Sequence, residues 1–132
     1  MTRLIDATLE NRREAAREAR RLVTDLNTPA LDGVIDDVAL LVSELVTNSF
    51  RYGGLREGER IALSISHDDN TVRAEIADPG HGTTLPSPRR PTPTGGWGLE
   101  IVRRKADRWG AEKRRGGTVV WFEIDVDGGR DA

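Results

Sequence analysis

The chain has 132 residues, with 20 Lys and Arg against 22 Asp and Glu, so its formal net charge is −2. This near-balance argues against a dedicated nucleic-acid binder, which concentrates positive charge to neutralise phosphates. The sequence contains no cysteine, which excludes disulfides, thiolate metal sites and cysteine nucleophiles. A chain of this length can bury a single core, and we expect residues 1–132 to form one domain.

The N-terminal segment is highly charged and lacks the apolar core of a secretory signal. Nowhere do roughly 18 apolar residues follow one another without interruption, so no membrane-spanning helix is expected. We therefore expect a cytoplasmic protein whose partners are neither membranes nor nucleic acids.

The first half of the chain predicts a strand and two helices. Residues 2–9 favour a short strand, and small or apolar residues then recur at helical spacing over 15–26. A second apolar stripe over 34–45 predicts another helix, with Asp32 as its N-cap. We expect this helix to end at residues 53–54, both glycine, because glycine tolerates the left-handed conformation that follows many helices.

The second half predicts two hairpins around a third helix. Alternating apolar residues over 60–77 indicate two strands joined by a tight turn, and a further hairpin is predicted over 112–126. Between them, a helical stripe consists of Leu99, Val102, Ala106 and Trp109, and Gly110 is expected to end that helix. This order favours an α+β fold, a two-layer α/β sandwich in which helices cover one face of a mixed, largely antiparallel sheet.

The segment that precedes the third helix has a different composition. Residues 83–96 hold four prolines, with Arg89 and Arg90 between them, and cannot form regular structure. Position alone leaves two interpretations open, a linker or a mobile lid over a binding site.

Two polar residues, Glu44 and Asn48, stand four residues apart in the second apolar helix and project from the same face. One explanation is a hydrogen bond between the two side chains at the surface. The other is chemical: the Asn48 amide oxygen is a hard ligand suited to Mg²⁺, and the Glu44 carboxylate orients or deprotonates an attacking hydroxyl or water.

Asp78 ends a predicted strand and is followed by Gly80 and Gly82. Asp-Pro-Gly is common in turns, and a simple turn is one interpretation. In the other, the carboxylate accepts a hydrogen bond from the exocyclic amine of a base, and the two glycines let the backbone and a ligand approach closely.

A glycine cluster at residues 95–98 opens the third predicted helix. Backbone N–H groups at the positive end of a helix suit a phosphate. The cluster is neither a Walker-type P-loop, because no Gly-Lys-Ser/Thr follows, nor a dinucleotide fingerprint, because the spacing differs and no βαβ unit surrounds it. Taken alone, it does not specify a ligand.

Four motifs, in this order and at these separations, resemble the N, G1, G2 and G3 boxes of the GHKL ATP-binding superfamily. They are Glu44-x-x-x-Asn48, Asp78-x-Gly80-x-Gly82, Gly96-x-Gly98-Leu99 and Gly117-Thr118. The superfamily includes gyrase, histidine kinases and anti-sigma-factor serine kinases. The resemblance covers nearly the whole chain as one histidine kinase-like (HATPase_c-type) domain of the Bergerat fold, and it is strongest to the stand-alone anti-sigma-factor kinase (RsbW-like) branch.

The resemblance implies an ATP pocket with a base end and a phosphate end. At the base end, Asp78 reads the adenine amine and Thr118 supports it through its hydroxyl. Gly80 and Gly82 allow adenine and ribose to approach.

At the phosphate end, the resemblance implies that Asn48 holds Mg²⁺ and that Glu44 is the general base. The phosphates contact the start of the third helix at Gly96, Gly98 and Leu99. If residues 83–95 form the lid, Arg89 and Arg90 are the candidate cations that offset the phosphate charge.

Two departures from the branch pattern stand out. Ser49 follows Asn48 where the branch more often has alanine, and Tyr52 stands where the branch more often has histidine. We expect this change to affect helix packing more than chemistry. The proline that usually lies close to the G1 box is farther away here, which leaves the path of the lid open.

The implied function is that of a protein-serine kinase and anti-sigma regulator, which binds a sigma factor and phosphorylates an anti-anti-sigma (STAS-type) partner. The alternative is a nucleotide sensor that gates a protein partner without phosphotransfer. A detached histidine-kinase domain fits less well, because neither His67 nor His81 lies on a helix with the apolar stripe of a dimerisation helix. The family also implies a homodimer.

Overall fold

Five strands and three α-helices form the described part of the chain, residues 1–81 and 98–126 of the computed structural model. In chain order the elements are β1 (Thr2–Glu10), α1 (Ala15–Thr24), a 3₁₀ turn (Pro29–Leu31), α2 (Ile35–Tyr52), β2 (Arg60–His67), β3 (Thr71–Asp78), α3 (Gly98–Lys105), β4 (Arg108–Arg114) and β5 (Gly117–Asp125). Within these residues, none of the helices combines the length and apolarity that crossing a lipid bilayer requires.

The five strands form one sheet in the order β1-β2-β3-β5-β4, and each of the four strand pairings is antiparallel. Successive side chains of a strand point to opposite faces, and on one face they are apolar and buried. These residues include Ile5, Leu9, Ile61, Leu63, Ile65, Val72, Ala74, Ile76, Val120, Phe122 and Ile124. The helices cover this face, which confirms the predicted α+β fold.

Helix α2 lies between α1 and α3 and supplies the largest share of the helical core. Its buried apolar residues join the sheet residues in one hydrophobic cluster, with Leu41, Val42 and Leu45 among the most buried. The buried face of α1 consists of Ala15, Ala19 and Val23, as the periodicity predicts.

The position of β5 brings two distant parts of the chain together. Strand β5 lies beside β3 and runs antiparallel to it, so its first residues pair with the last residues of β3. Asp78 thereby lies opposite Thr118. The second half of α2 passes over this end of the sheet, where Ser49 hydrogen-bonds to Asp78.

Helix α2 begins later than a cap at Asp32 predicts, and that prediction was wrong. Thr28 caps a 3₁₀ turn instead, its Oγ1 accepting from the backbone N–H of Ala30 at 3.3 Å. Gly33 then adopts a φ of 81°, and Val34 occupies the N-cap position of α2 without a side-chain hydrogen bond. A φ of 81° is not helical, so α2 cannot begin at Gly33, the residue that follows Asp32.

Helix α3 ends earlier than its apolar stripe predicts. It stops at Lys105, and both Trp109 and Gly110, expected at the end of the helix, lie in β4. The backbone N–H of Asp107 donates to the carbonyl of Glu123 at 2.9 Å, which begins the pairing of β4 with β5. The prediction was wrong because the helical spacing of apolar residues continues across this turn, and strand pairing decides the structure there.

Candidate functional site

Glu44 and Asn48 lie on one face of α2, at the point where α2 meets the start of α3. Both side chains are half-buried. A Cβ added to Gly98, the first residue of α3, would lie 3.2 Å from Asn48 Oδ1 and 3.4 Å from Glu44 Oε2. The lack of a side chain at residue 98 therefore lets the start of α3 lie close to the carboxylate and the amide.

The Asp78 carboxylate is fixed by two hydrogen bonds. Ser49 Oγ donates to Oδ2 at 2.6 Å, and the backbone N–H of Gly80 donates to Oδ1 at 2.7 Å. A carboxylate offers about four lone-pair sites, so each oxygen keeps the capacity to accept another bond. Asp78 is thus held in one direction and can still accept a hydrogen bond from a ligand N–H.

Thr118, the second residue of β5, is buried beside this carboxylate. Its Oγ1 accepts a hydrogen bond from Lys113 Nζ at 3.0 Å. A Cβ added to Gly80 would lie 3.3 Å from Thr118 Oγ1 and 2.7 Å from Asp78 Oδ1. The two oxygens therefore lie close to one point beside the Gly80 Cα, where a side chain would clash with the carboxylate.

Gly117 determines how closely β5 approaches the end of β3. A Cβ at this position would overlap the backbone carbonyl of Asp78 and contact Pro79. Only glycine permits such a close approach of two backbones. The glycine that precedes Thr118 is therefore part of what places the threonine opposite the aspartate.

Burial raises the pKa of the Glu44 carboxyl above its usual value, and the charge of Arg51 lowers it in part. Arg51 stands about two helical turns farther along α2, so it projects from the same side of the helix. A carboxylate with a raised pKa is a better proton acceptor than a fully solvated one. The arrangement suits Glu44 to general base chemistry.

A cavity of about 370 Å³ lies between the start of α1 and the second half of α2. Its lining consists of Arg12, Arg13, Ala16, Thr47, Phe50 and Arg51. Arg12 Nε is also paired with the Glu10 carboxylate at 2.9 Å. Three guanidinium groups around an exposed aromatic ring suit a segment that carries both acidic and apolar side chains.

A contact between His81 and Glu59 holds the turn after Asp78. His81 Nε2 lies 2.9 Å from both carboxylate oxygens of Glu59, and Glu59 also accepts from the backbone N–H of Arg56 at 2.6 Å. The Arg56 hydrogen bond and then the contact with His81 lower the pKa of Glu59. The loop between α2 and β2 is thereby tied to the residue before Gly82.

The structure brings six of the predicted site residues together in two groups, which the Ser49–Asp78 hydrogen bond connects. They are Glu44, Asn48 and Gly98, and Asp78, Gly80 and Thr118. The side chain of Leu99 is buried in the core, so only its backbone N–H can face a ligand at the start of α3. Gly82, Gly96, Arg89 and Arg90 lie outside the described residues.

Sequence reasoning missed two residues of this site. Ser49, expected to matter mainly for packing, donates directly to Asp78. It follows Leu45 at a spacing of four on the buried stripe of α2, and a serine at a core position is a signal for a buried partner. Lys113, on β4, has no comparable signal, because its contact with Thr118 depends on the register of β4 with β5.

The residues present fit a magnesium nucleotide. Within residues 1–81 and 98–126, no group of three His, Cys, Asp or Glu side chains could hold a metal ion on its own. Mg²⁺ keeps several waters and is commonly bound by one or two protein oxygens together with substrate phosphates. The Asn48 amide oxygen, which lies beside Gly98, is a metal ligand of that kind.

The family profile described as the histidine kinase-like ATPase domain matches residues 5–124. No curated protein matches the chain. A solved structure, the RsbU and RsbW domains of Rv1364c from Mycobacterium tuberculosis, is similar in fold, with a TM-score of 0.59 and 22% sequence identity over 91% of this chain. The match spans 31% of that chain. The profile covers nearly the whole sequence and confirms the GHKL resemblance: the chain belongs to the histidine kinase-like ATPase domain family, and membership implies that it binds ATP.

Proposed function

We propose that this protein is an ATP-binding anti-sigma-factor regulator with protein-serine kinase activity, whose substrate is an anti-anti-sigma (STAS-type) partner. The observation that carries the proposal is the position of Glu44. Its carboxylate lies with the Asn48 amide beside Gly98, at the start of α3. A module that only binds nucleotide has no chemical need for a proton acceptor at that place.

The base end of the site supports ATP as the nucleotide. The Asp78 carboxylate, held by Ser49 and Gly80, accepts from the adenine amine, and the hydroxyl of Thr118 lies beside it. The backbone N–H groups of Gly98 and Leu99 are at the start of α3, where a helix leaves them without intrahelical partners and favours phosphate.

The phosphate end supports transfer to a hydroxyl. Bound at Asn48, Mg²⁺ would offset the charge of the phosphates. Glu44 accepts the proton of a partner serine as that hydroxyl attacks the γ-phosphorus and ADP leaves. Burial, which raises the pKa of Glu44, strengthens it as the acceptor.

The cavity beside α2 supports a protein as the substrate. It lies next to Glu44 along the helix, with Arg51 common to both surroundings. A partner surface with acidic residues near its serine would pair with Arg12, Arg13 and Arg51. A sigma factor with acidic surface residues would bind these arginines in the same way.

The proposal is tested by phosphotransfer and nucleotide binding measured on the same preparations. We expect labelled ATP with Mg²⁺ to phosphorylate a STAS-type protein that carries a target serine. Glu44→Gln should lower this rate by about 10²- to 10⁴-fold, because the general base is lost, and should leave ADP affinity unchanged.

Asp78→Asn should instead weaken ADP binding by about tenfold, because the carboxylate, which only accepts hydrogen bonds, is replaced by an amide that also donates them.

The outcomes separate the two candidate functions. ADP binding without transfer to any serine-bearing STAS-type protein would favour the nucleotide sensor. A Glu44→Gln variant that transfers phosphate as fast as the wild type would remove Glu44 from the chemistry. Failure of the wild type to bind ADP in a calorimetric titration would overturn the proposal as a whole.

A further inference from the structure

Lys113 occupies a position that the proposed function leaves without a role. It lies on β4 directly opposite Thr118, and its Nζ donates to Thr118 Oγ1 at 3.0 Å. The lysine is exposed, whereas the threonine is buried. A long flexible side chain therefore extends from the surface to a buried hydroxyl of the site.

This contact restricts what the hydroxyl can do. A threonine hydroxyl has one proton and two lone pairs, and an ammonium group can only donate. With one lone pair taken by Lys113, the proton of Thr118 is directed elsewhere. Asp78 Oδ1 lies near this hydroxyl, on the same side of Gly80.

The two groups then present opposite polarity to a ligand that contacts both. The Asp78 carboxylate accepts only, and Ser49 and Gly80 hold it in place. Thr118, supported by Lys113, donates. An acceptor beside a donor matches the edge of adenine, where an amine stands next to an unprotonated ring nitrogen, and mismatches guanine, where a carbonyl stands next to a ring N–H.

We infer that Lys113 is a positioning residue for base recognition, which acts through Thr118 by directing the hydroxyl proton of Thr118 toward the ring acceptor of the base. The inference rests on the proposed nucleotide site. Without the ammonium group, the hydroxyl is free to rotate and donate to the Asp78 carboxylate, and the site loses its donor toward the ring nitrogen.

The test compares ADP with 1-deaza-ADP, in which ring N1 is replaced by C–H. The two nucleotides carry identical phosphates, so any general effect of the lysine charge on phosphate binding cancels in the ratio of their affinities. The wild type should prefer ADP by roughly threefold to tenfold, the range of one net hydrogen bond. In Lys113→Met, which keeps an unbranched side chain one atom shorter and removes the donor, the ratio should fall to about twofold or less.

Two further variants complete the experiment. Lys113→Arg keeps a donor and should retain the wild-type ratio. Arg115→Ala removes a positive charge from the same hairpin, at an exposed position, and should also leave the ratio unchanged.

An unchanged ratio in Lys113→Met, or an equal loss in Arg115→Ala, would overturn the inference while the nucleotide site stands. Absence of ADP binding by the wild type would remove the site itself. The two failures are therefore distinguishable in one set of titrations.

Discussion

Ser49 shows how a single hydroxyl can connect the core to the site. It is buried on α2 among apolar residues, and its Oγ donates to Asp78 Oδ2 at 2.6 Å. Alanine would pack equally well at this position, so the hydroxyl is not there to fill space. Together with the backbone N–H of Gly80, it fixes the direction of the carboxylate about the χ2 bond of Asp78.

We expect Ser49→Ala to weaken ADP by roughly threefold to tenfold and to lower the free energy of unfolding by about 1 kcal/mol, the net value of one hydrogen bond. Ser43→Ala is the matched control, since the Ser43 hydroxyl donates within α2 to the Leu40 carbonyl at 2.9 Å. Calorimetric titration and urea unfolding measure the two effects. Equal ADP affinities for the two variants would show that Ser49 does not position Asp78.

At the scale of elements, the start of α3 is adapted to the site at the expense of helix stability. Glycine is a poor helix former, yet Gly98 is the first residue of α3. The reason lies in its surroundings, because a side chain there would crowd Asn48 and Glu44. Glycine at this position therefore allows the close approach of α2 and α3, although most other residues would form the helix more readily.

Gly98→Ala should therefore separate stability from binding. Removing a helix-start glycine favours folding, whereas the contact of the new methyl group with Asn48 Oδ1 opposes it, so the free energy of unfolding should change by no more than about 1 kcal/mol. The added methyl group should weaken ADP with Mg²⁺ by roughly tenfold, because it crowds the Asn48 amide oxygen. Lys105→Ala, at the other end of α3, provides a control in both titration and unfolding experiments, and equal ADP affinities of the two variants would contradict this interpretation.

The apolar periodicity predicts correctly those elements that bury a single face. Alternation over 60–77 and the stripe on α1 each record one buried face, and the structure confirms both. The predicted end of α3 was wrong for a different reason. Trp109 fits a helical spacing and a strand equally well, and strand pairing with Phe122 decides between them.

The site residues also divide into those that local patterns predict and those that they do not. Glu44 and Asn48 are neighbours on one helix, so local geometry predicts their common face. The Lys113–Thr118 contact and the pairing of Asp78 with Thr118 depend on sheet register, which local patterns do not contain. The resemblance of the four motifs to a known family supplied the rest of the predicted site, since no spacing rule connects residue 44 with residue 118.

For the whole molecule, carboxylates with lowered pKa values predict how stability depends on pH. Hydrogen bonds from Arg103 and then Arg104 lower the pKa of Glu100 to about 2, and a hydrogen bond from Arg108 lowers that of Glu123. The pKa of Glu59 is lowered as well. Because these groups bind protons less readily when folded, their stabilisation is complete above the unfolded pKa and is lost as pH falls through the folded values.

We therefore expect the urea midpoint of unfolding to fall between about pH 4.5 and pH 2. Glu100→Gln should flatten this fall, because the glutamine cannot be protonated. Glu57→Gln, an exposed position in the loop between α2 and β2, should leave the profile unchanged. Parallel profiles for wild type and Glu100→Gln would show that the clamp formed by Arg103 and Arg104 does not stabilise the fold.

The insertion of β5 between β3 and β4 has a consequence for a nascent chain. Synthesis proceeds from the N-terminus, so β1, β2 and β3 can pair as soon as Asp78 has left the ribosome. Among the described strands, β4 pairs only with β5, and it must wait for residues 117–125. A ribosome-bound chain halted before Gly117 would carry Glu44, Asn48 and Asp78 with no threonine opposite the aspartate. Assembly of the site therefore belongs to a late step of synthesis, after both helices that border it have emerged.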